Sequence, residues 1–294
     1  MKFMKRSIGL FLCLFSFFAA CKAEQPQNMT HVNEKGVELK LMSYNIRFAT
    51  SKDTGVYAWK SRREPNIKMF KTEKPDVFGI QEPTTIAMSY LKKRLPQYDS
   101  YDCCGEERTD RVPVIFWLRS RFELLDSGHF WISETPKVKS KGWDAALYRT
   151  TSWVKLRERT NGKEFYVFNT HLDHKGSQAK KNGVRVNVEQ MQKIAGKKAV
   201  IFIFGDMNIQ RHKSNGYYLD HYYDWMKGAR ETAEKSTTDA TFNGFEYEGK
   251  KPGFLDYIFY RGSVEARRFK VCNEADYGVK YISDHYPIVC EFIL

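Results

Sequence analysis

The sequence predicts an α/β fold in which packed β-sheets are flanked by helices, and three observations carry that expectation. Apolar strand-like runs alternate with helical segments from Glu38 to the end of the 294-residue chain. No linker, repeat or low-complexity tract interrupts this stretch, so one domain is expected over residues 38–294. Short polar motifs sit beside the apolar runs. They are Ser43-Tyr44-Asn45-Ile46-Arg47, Asp76-Val77-Phe78-Gly79-Ile80-Gln81-Glu82, Asn169-Thr170-His171-Leu172-Asp173, Gly205-Asp206-Met207-Asn208, Leu255-Asp256-Tyr257 and Ser283-Asp284-His285.

In chain order, residues 37–46 read as a strand. Residues 59–71 set Trp59, Ile67 and Phe70 among charges and read as a helix. Residues 77–81 are a short buried strand. Residues 83–95 are a helix opening on Pro83, whose fixed φ and missing N–H suit a first turn. Residues 112–118, 122–132, 151–156 and 164–169 read as successive strands. Residues 177–195 space Val184, Val188, Met191 and Ile194 for one apolar helix face. A continuous apolar strand follows at 199–204, and strands at 254–260, 265–271 and 287–293 close the set.

The formal charge is +13 and aromatic residues make up 15% of the chain. Residues 1–20 read as an export signal, with Lys2, Lys5 and Arg6 before an apolar run from Ile8 to Ala20. That run falls short of the roughly 20 residues a membrane span needs. Removing the segment takes three of the thirteen charges and leaves +10. Phe18-Ala19-Ala20-Cys21 is similar to a bacterial lipobox, which would lipidate Cys21; ordinary cleavage near Ala23 is the alternative. Either way the protein is expected to be exported, as a membrane-anchored lipoprotein or in soluble form. Residues 22–37 are polar and aperiodic and read as a tether. Cys103, Cys104, Cys272 and Cys290 fall in a domain large enough to need no staples, and Cys272 and Cys290 lie in strand-like runs where buried free thiols are expected.

The polar motifs fit hydrolysis of a phosphoester. That reaction needs charge neutralised on the phosphorus oxygens, a positioned water and a stabilised leaving oxygen. Mg²⁺ or Mn²⁺ would serve the first need through a few oxygen ligands, and the chain has scattered Asp, Glu and Asn with no zinc-type Cys/His spacing. Glu82, at a strand end, is placed to hold a metal, and the Asn45 amide to hold a metal-bound water or a phosphate oxygen. Asp206 and Asn208, two apart on extended backbone, would face one way. Asp206 would then orient water while Asn208 binds a phosphoryl oxygen. Asp256 lies inside an apolar run and needs a partner; His285 is the candidate, oriented as a base is by its carboxylate. His171 is the second histidine candidate, for the leaving oxygen or the phosphate. His31, His129, His174, His212 and His221 have weaker context.

Asn45, Gln81-Glu82, His171, Gly205-Asp206-Met207-Asn208, Asp256 and Ser283-Asp284-His285 together resemble the endonuclease/exonuclease/phosphatase superfamily. The resemblance covers roughly residues 38–294. It implies a four-layer αββα sandwich, two mixed sheets covered by helices, with the site at one rim. It also implies direct attack by water with Mg²⁺ or Mn²⁺. Carried over by position, it makes Glu82 the metal ligand, Asn45 a support for metal or phosphate, and Asp284 a residue bordering the metal. Asp206 becomes the water-orienting group, Asn208 a phosphate ligand, and His285, paired with Asp256, the catalytic histidine. Trp59-Lys60-Ser61-Arg62-Arg63, Phe130-Trp131-Ile132-Ser133-Glu134-Thr135-Pro136 and Arg149-Thr150-Thr151-Ser152-Trp153 are similar to a bacterial branch grouped with deadenylase-like proteins. Arg149 is there the candidate for a further phosphate contact. Relatives often pair the second histidine with a glutamate; here Asp110, or Glu106 and Glu107, falls near the expected place.

Three functions follow. The first is a nuclease, favoured by basic charge and aromatic content, with Lys137, Lys139, Lys141, Lys175, Lys180, Lys181, Arg211, His212 and Lys213 as candidate basic surface. The second is a phosphoesterase on a lipid head group, phosphoinositide or sugar phosphate, which a membrane tether would suit. The third is a non-catalytic binding protein on the same fold. A monomer without a protein partner is expected.

Overall fold

Residue alternation decides the layers, because successive side chains of a strand point to opposite faces. The computed structural model describes residues 36–103, 112–273 and 277–294. The expected signal 1–20, Cys21, the tether to residue 35, Cys104, Glu106, Glu107, Asp110 and His31 lie outside the described residues. Among the described residues, one seven-stranded sheet runs in the order β10 (Lys235–Ser236), β12 (Glu265–Val271), β13 (Ile288–Ile293), β1 (Glu38–Asn45), β2 (Val77–Gln81), β4 (Val114–Leu118), β3 (Tyr98–Tyr101). A six-stranded sheet runs β5 (Phe122–Trp131), β6 (Thr150–Glu158), β7 (Glu164–His171), β8 (Ile201–Asp206), β11 (Asp256–Arg261), β9 (Lys227–Gly228). Both are mixed: β1–β2 and β7–β8 are parallel, while β11 and β13 run antiparallel to β8 and β1.

In the first sheet Leu39, Leu41, Val77, Ile115, Trp117, Ile288, Cys290 and Phe292 turn inward to the second sheet. Met42, Tyr44, Phe78, Ile80, Val114 and Phe116 turn outward, beneath helices α1 (Trp59–Glu73) and α2 (Thr85–Arg94), which supply Ile67, Phe70, Met88 and Leu91. On the far side, helix α3 (Ser177–Ala195) covers the second sheet. Its buried Asn187 meets Thr151 of β6 at 2.6 Å and Thr170 of β7 at 3.1 Å. The layers are therefore helix, sheet, sheet, helix, as expected. Two polar side chains cross between the sheets. Asn169 of β7 donates its amide to the carbonyls of Ile80 (3.1 Å) and Val114 (2.9 Å), and Gln81 donates to Asn169 Oδ1 at 2.6 Å. Gly79 makes room for this contact, since a Cβ there would collide with Phe204 and the Asn169 amide.

Several expectations change. Helix α2 starts at Thr85, not Pro83, because Thr84 supplies the N-cap and accepts the Ala87 N–H. Strand β3 was not expected, its Tyr98-Asp99-Ser100-Tyr101 sequence having too few apolar residues to read as one. Short helices α4 (Asp220–Tyr223) and α5 (Ala229–Thr232), with β9 and β10, occupy a connection in which no element was expected. On α3, Val184 and Met191 are buried, but Val188 and Ile194 are only partly so, and Gly183, Val186 and Asn187 take their place in the interface. Cys272 and Cys290 are buried free thiols, as expected.

The least expected core residue is Arg62 of α1, fully buried. Its guanidinium donates to the carbonyls of Tyr57 (2.6 Å), Ile46 (2.9 Å), Ile282 (3.0 Å) and Arg47 (3.3 Å). Burial lowers its pKa. It thus ties the exit of β1 to the chain leading into β13. A lysine has no planar fork to serve four carbonyls. Arg62→Lys is expected to destabilise the fold by about 3 kcal/mol, the scale for leaving buried polar groups unmatched, and chemical denaturation checks it.

Candidate active site

Topology gathers the motifs. The C-terminal ends of parallel strands β1, β2, β7 and β8 lie at one rim, and antiparallel β11 and β13 begin there. Register brings Asn45 opposite Gln81, and places Asp206 between His171 and Asp256. Four motifs therefore follow a strand and two precede one, yet all reach the same edge.

The chain turns sharply at this rim. Arg47 (φ 57), Glu82 (φ 59) and Asn208 (φ 51) are non-glycine residues in the left-handed region, each at a cost of about 1–2 kcal/mol. Local bonds hold them. Asn45 Oδ1 accepts the Arg47 N–H (3.1 Å), Glu82 Oε2 the Phe48 N–H (3.2 Å), and Asp206 Oδ1 the Asn208 N–H (2.9 Å). The expectation that Asp206 and Asn208 share extended backbone is thereby corrected: they form a side-chain-closed turn, and Asn208 also donates to the Leu172 carbonyl at 3.0 Å. Gly205, at φ 150, is required, since a Cβ there would overlap the Thr170 carbonyl oxygen.

At the centre, buried Asp206 Oδ2 accepts from Asn45 Nδ2 (3.0 Å) and faces His171 Nε2 (3.3 Å) and His285 Nε2 (3.6 Å). His285 Nδ1 meets Asp256 Oδ2 at 2.9 Å, the pairing expected from sequence. Phe242 lays its ring against His285, 4.9 Å between centroids. Burial pushes the Asp206 carboxyl up to about 7, against the pull of His285, while Asp256 adds to the rise. Burial alone would lower the His285 imidazolium, but Asp256 and Asp206 outweigh it and hold it charged well above its usual range.

Glu82 and Asp284 flank this centre, half-buried, with Asp284 3.6 Å from Arg47. Arg47 is itself clamped on buried Asp53 through two hydrogen bonds of 2.9 and 3.1 Å. Sequence reasoning quoted Arg47 without a role and passed over Asp53. The pair is visible only once the left-handed turn folds one onto the other. Asn45, Arg47, Glu82, His171, Asp206, Asp284 and His285 border one cleft of about 760 Å³, with Arg149, His174, Lys175, Tyr247 and Lys250 along its walls.

Arg149 reaches the cleft as expected, 3.7 Å from Asp173 and 3.3 Å from His174. Asp173 organises that wall. Its two oxygens accept the N–H groups of Ala146, Leu147, Lys175 and Gly176. His174, given weaker context by the sequence, is corrected to a cleft residue. Its place beside the end of β7 was the available signal.

A hard cation takes oxygen donors, and Glu82, Asn45 and Asp284 offer carboxylate and amide oxygens, with no thiol among the described residues that border the cleft. The donor set fits Mg²⁺ or Mn²⁺. Asp206, Asp256 and His285 also bring ligand atoms within 4.8 Å of one another. A cation held by all three would compete with the buried Asp256–His285 hydrogen bond, so the Glu82 side suits it better.

The sequence model of the Endonuclease/Exonuclease/phosphatase family matches residues 42–285. A family protein of that description from Bacteroides thetaiotaomicron is 28% identical with a TM-score of 0.79, the match covering 88% of this chain and 98% of that one. A mannosyl-6-phosphatase of Bacteroides thetaiotaomicron is 27% identical with a TM-score of 0.77, over 87% of this chain and 100% of that one. An uncharacterized protein of Acanthamoeba polyphaga mimivirus is 26% identical over 86% of this chain and all of its own length.

The charge cluster predicts a stability signature. Because the folded pKa of Asp206 lies above its ordinary 3.8, folding favours the neutral acid. Stability then falls as pH rises from about 4 through about 7. Asp206→Asn removes that dependence while keeping the side chain's shape. Its Tm, measured with a chelator present, is expected to exceed that of the parent protein, by more at pH 8 than at pH 5.

Proposed function

The chain belongs to the endonuclease/exonuclease/phosphatase family, and on that premise we propose that it is an exported, divalent-metal-dependent hydrolase of small organic phosphoesters, sugar phosphates foremost. One observation carries the reading: an amide and two imidazoles converge on the Asp206 carboxylate on the floor of a single walled cleft. The choice of a small substrate has two supports. The cationic groups at the cleft, Arg47, Arg149, Lys175 and Lys250, all border that one cavity. Of the residues expected to bind nucleic acid, Lys175 lines the cleft, while others are dispersed. Lys137 borders a separate pocket with Lys193, Lys181 sits 5.9 Å over Tyr217, and Arg211 is paired with Asp220. The likeness to a mannosyl-6-phosphatase points the same way.

In this reading Asp206 orients the attacking water and accepts its proton, a task that suits a carboxyl raised towards neutrality. Asp256 fixes His285 with Nδ1 protonated, so that its Nε2 faces the reacting group. The imidazolium can then neutralise charge on the phosphoryl oxygens. His171 stands on the other side of Asp206 to give a proton to the leaving oxygen. Asn208, Asn45 and Arg149 bind phosphate oxygens. Glu82, with Asn45 and Asp284, would hold the Mg²⁺ or Mn²⁺ ion, which supplies Lewis-acid stabilisation of the charge developing on the phosphorus oxygens. Residues 1–20 direct export, and Cys21 carries the lipid anchor.

Three measurements test these assignments. A screen with Mg²⁺ or Mn²⁺ would set hexose phosphates, glycerol 3-phosphate, nucleoside monophosphates, sphingomyelin, DNA and RNA side by side. Turnover of the sugar phosphates is expected, with Asp206→Asn and His285→Ala each at least about 10³-fold slower. Cleavage of nucleic acid alone, falling steeply with salt, would move the protein to the nuclease class. Glu82→Gln is expected to raise the Mg²⁺ concentration needed for half-maximal rate about tenfold or more, and an unchanged requirement removes Glu82 from the ligand set. Mass spectrometry of the membrane fraction is expected to find a lipid-modified N-terminus at Cys21.

A further inference from the structure

The connection between β10 and β11 carries a run of unusual backbone that the catalytic chemistry does not use. Gly244, Phe245 and Glu246 are consecutive left-handed residues, with φ of 63, 56 and 59. Two of the three are not glycine, so the turn is imposed by its surroundings. It is held from the catalytic segment itself. The N–H groups of Asn243 and Gly244 both donate to the Asp284 carbonyl, at 2.9 and 3.0 Å. The Asn243 side chain donates to the Ser283 carbonyl (3.1 Å) and accepts the Phe245 N–H (2.8 Å). Phe245 is buried under Tyr57, ring centroids 4.7 Å apart, with the Arg62 guanidinium 5.5 Å from its face.

This anchored turn presents Tyr247 and Lys250 to the cleft. Tyr247 is braced edge-on by Tyr57 at 5.3 Å and Phe245 at 5.7 Å, yet keeps 37% of its surface exposed. Lys250 lies over Gly244, where a Cβ would come within 2.6 Å of its own Cβ, and its N–H donates to the Tyr247 carbonyl at 2.9 Å. The other cleft aromatics are engaged. Phe242 meets His285, and Phe48 lies 4.5 Å beneath the Arg47 guanidinium. A partly exposed aromatic ring in a cleft that a lysine also lines suits a ring with an apolar C–H face and hydroxyl acceptors at its edge.

We propose that Tyr247 and Lys250 form the leaving-group subsite of the cleft, Tyr247 packing on the carbon face of a sugar ring and Lys250 donating to its hydroxyls, so that turn 242–250 selects cyclic sugar phosphates over acyclic ones. The proposal rests on the small-phosphoester reading above. It assigns a role to a turn whose sequence, Phe242-Asn243-Gly244-Phe245-Glu246-Tyr247, matches none of the catalytic motifs.

The test uses the full chain and compares Tyr247→Ala, Tyr247→Phe and Lys250→Ala with the parent. The probes are mannose 6-phosphate, glucose 6-phosphate, glycerol 3-phosphate and a nucleoside 5′-monophosphate, with inorganic phosphate as competitive inhibitor. For Tyr247→Ala, kcat/KM on the hexose phosphates is expected to fall about tenfold further than on glycerol 3-phosphate, mainly through KM. Tyr247→Phe is expected to retain most of the preference, because the ring and not the hydroxyl makes the contact. Lys250→Ala is expected to lose part of it, and the inhibition constant of phosphate should stay within about twofold in all three. Equal losses on cyclic and acyclic substrates, or a larger loss on the nucleotide, would overturn the subsite. A parent protein that leaves every small phosphoester intact overturns the subsite together with the small-phosphoester reading, so the two failures are told apart by the parent alone.

Discussion

The Asn169 side chain is the contact on which the rest of the rim depends. It reaches from the second sheet to two carbonyls on neighbouring strands of the first, and Gln81 returns a hydrogen bond to its oxygen. Packed sheets usually sit about 10 Å apart; here Gly79 lets an amide fill the gap and tie them together. The consequence is chemical. Asn45 ends a strand of one sheet and Asp206 ends a strand of the other, yet their side chains hydrogen-bond at 3.0 Å. If the sheets were held apart at this end, the Asn45 and Asp206 halves of the site would not meet.

Around that tie the chain uses strained backbone to aim side chains. Arg47, Glu82 and Asn208 each turn left-handed at or just past a strand end, and each is stabilised by a bond between neighbouring backbone and a site side chain. Rigidity comes from behind. Arg62 holds the chain around Ile46, Arg47 and Ile282 from inside the first helix layer. Asp173 does the same for the opposite wall with four backbone N–H groups. Its carboxylate is kept below the usual range because those bonds and Arg149 outweigh the penalty of burial.

The site is electrostatically expensive. Three acidic side chains, Asp206, Asp256 and Asp284, crowd one buried histidine, and burial drives the central carboxyl upward. Such an arrangement suits a centre that must bind a cation and pass protons, and it is a poor way to stabilise a fold. The dense aromatic core on both faces of the first sheet and between the sheets carries the stability instead. The separation of duties explains why the polar rim can be frustrated while the layers beneath are regular.

The four-layer order came from the family resemblance, but packed sheets flanked by helices were legible in the sequence because apolar periodicity is a local property. So were the motif residues, and the pairing of Asp256 with His285, since a carboxylate inside an apolar run demands a partner. Local sequence could not show which strands run parallel. It therefore could not show that Asp256 and His285 precede their strands at the same rim where Asn45, Glu82, His171 and Asp206 follow theirs. Nor could it show that Arg62 is a buried clamp, that Asn208 leaves extended backbone, or that Tyr247 stands over the cleft. Arg62 and Tyr247 depend on contacts between residues far apart in the chain, as with Arg62 and Ile282 or Asn243 and Asp284, and Asn208 on a turn closed by the Asp206 carboxylate. The sequence determined which runs build the core and which polar groups were candidates for the site; the tertiary structure decided where they meet, because those distances are set by strand direction, sheet separation and left-handed turns that span more than a local pattern.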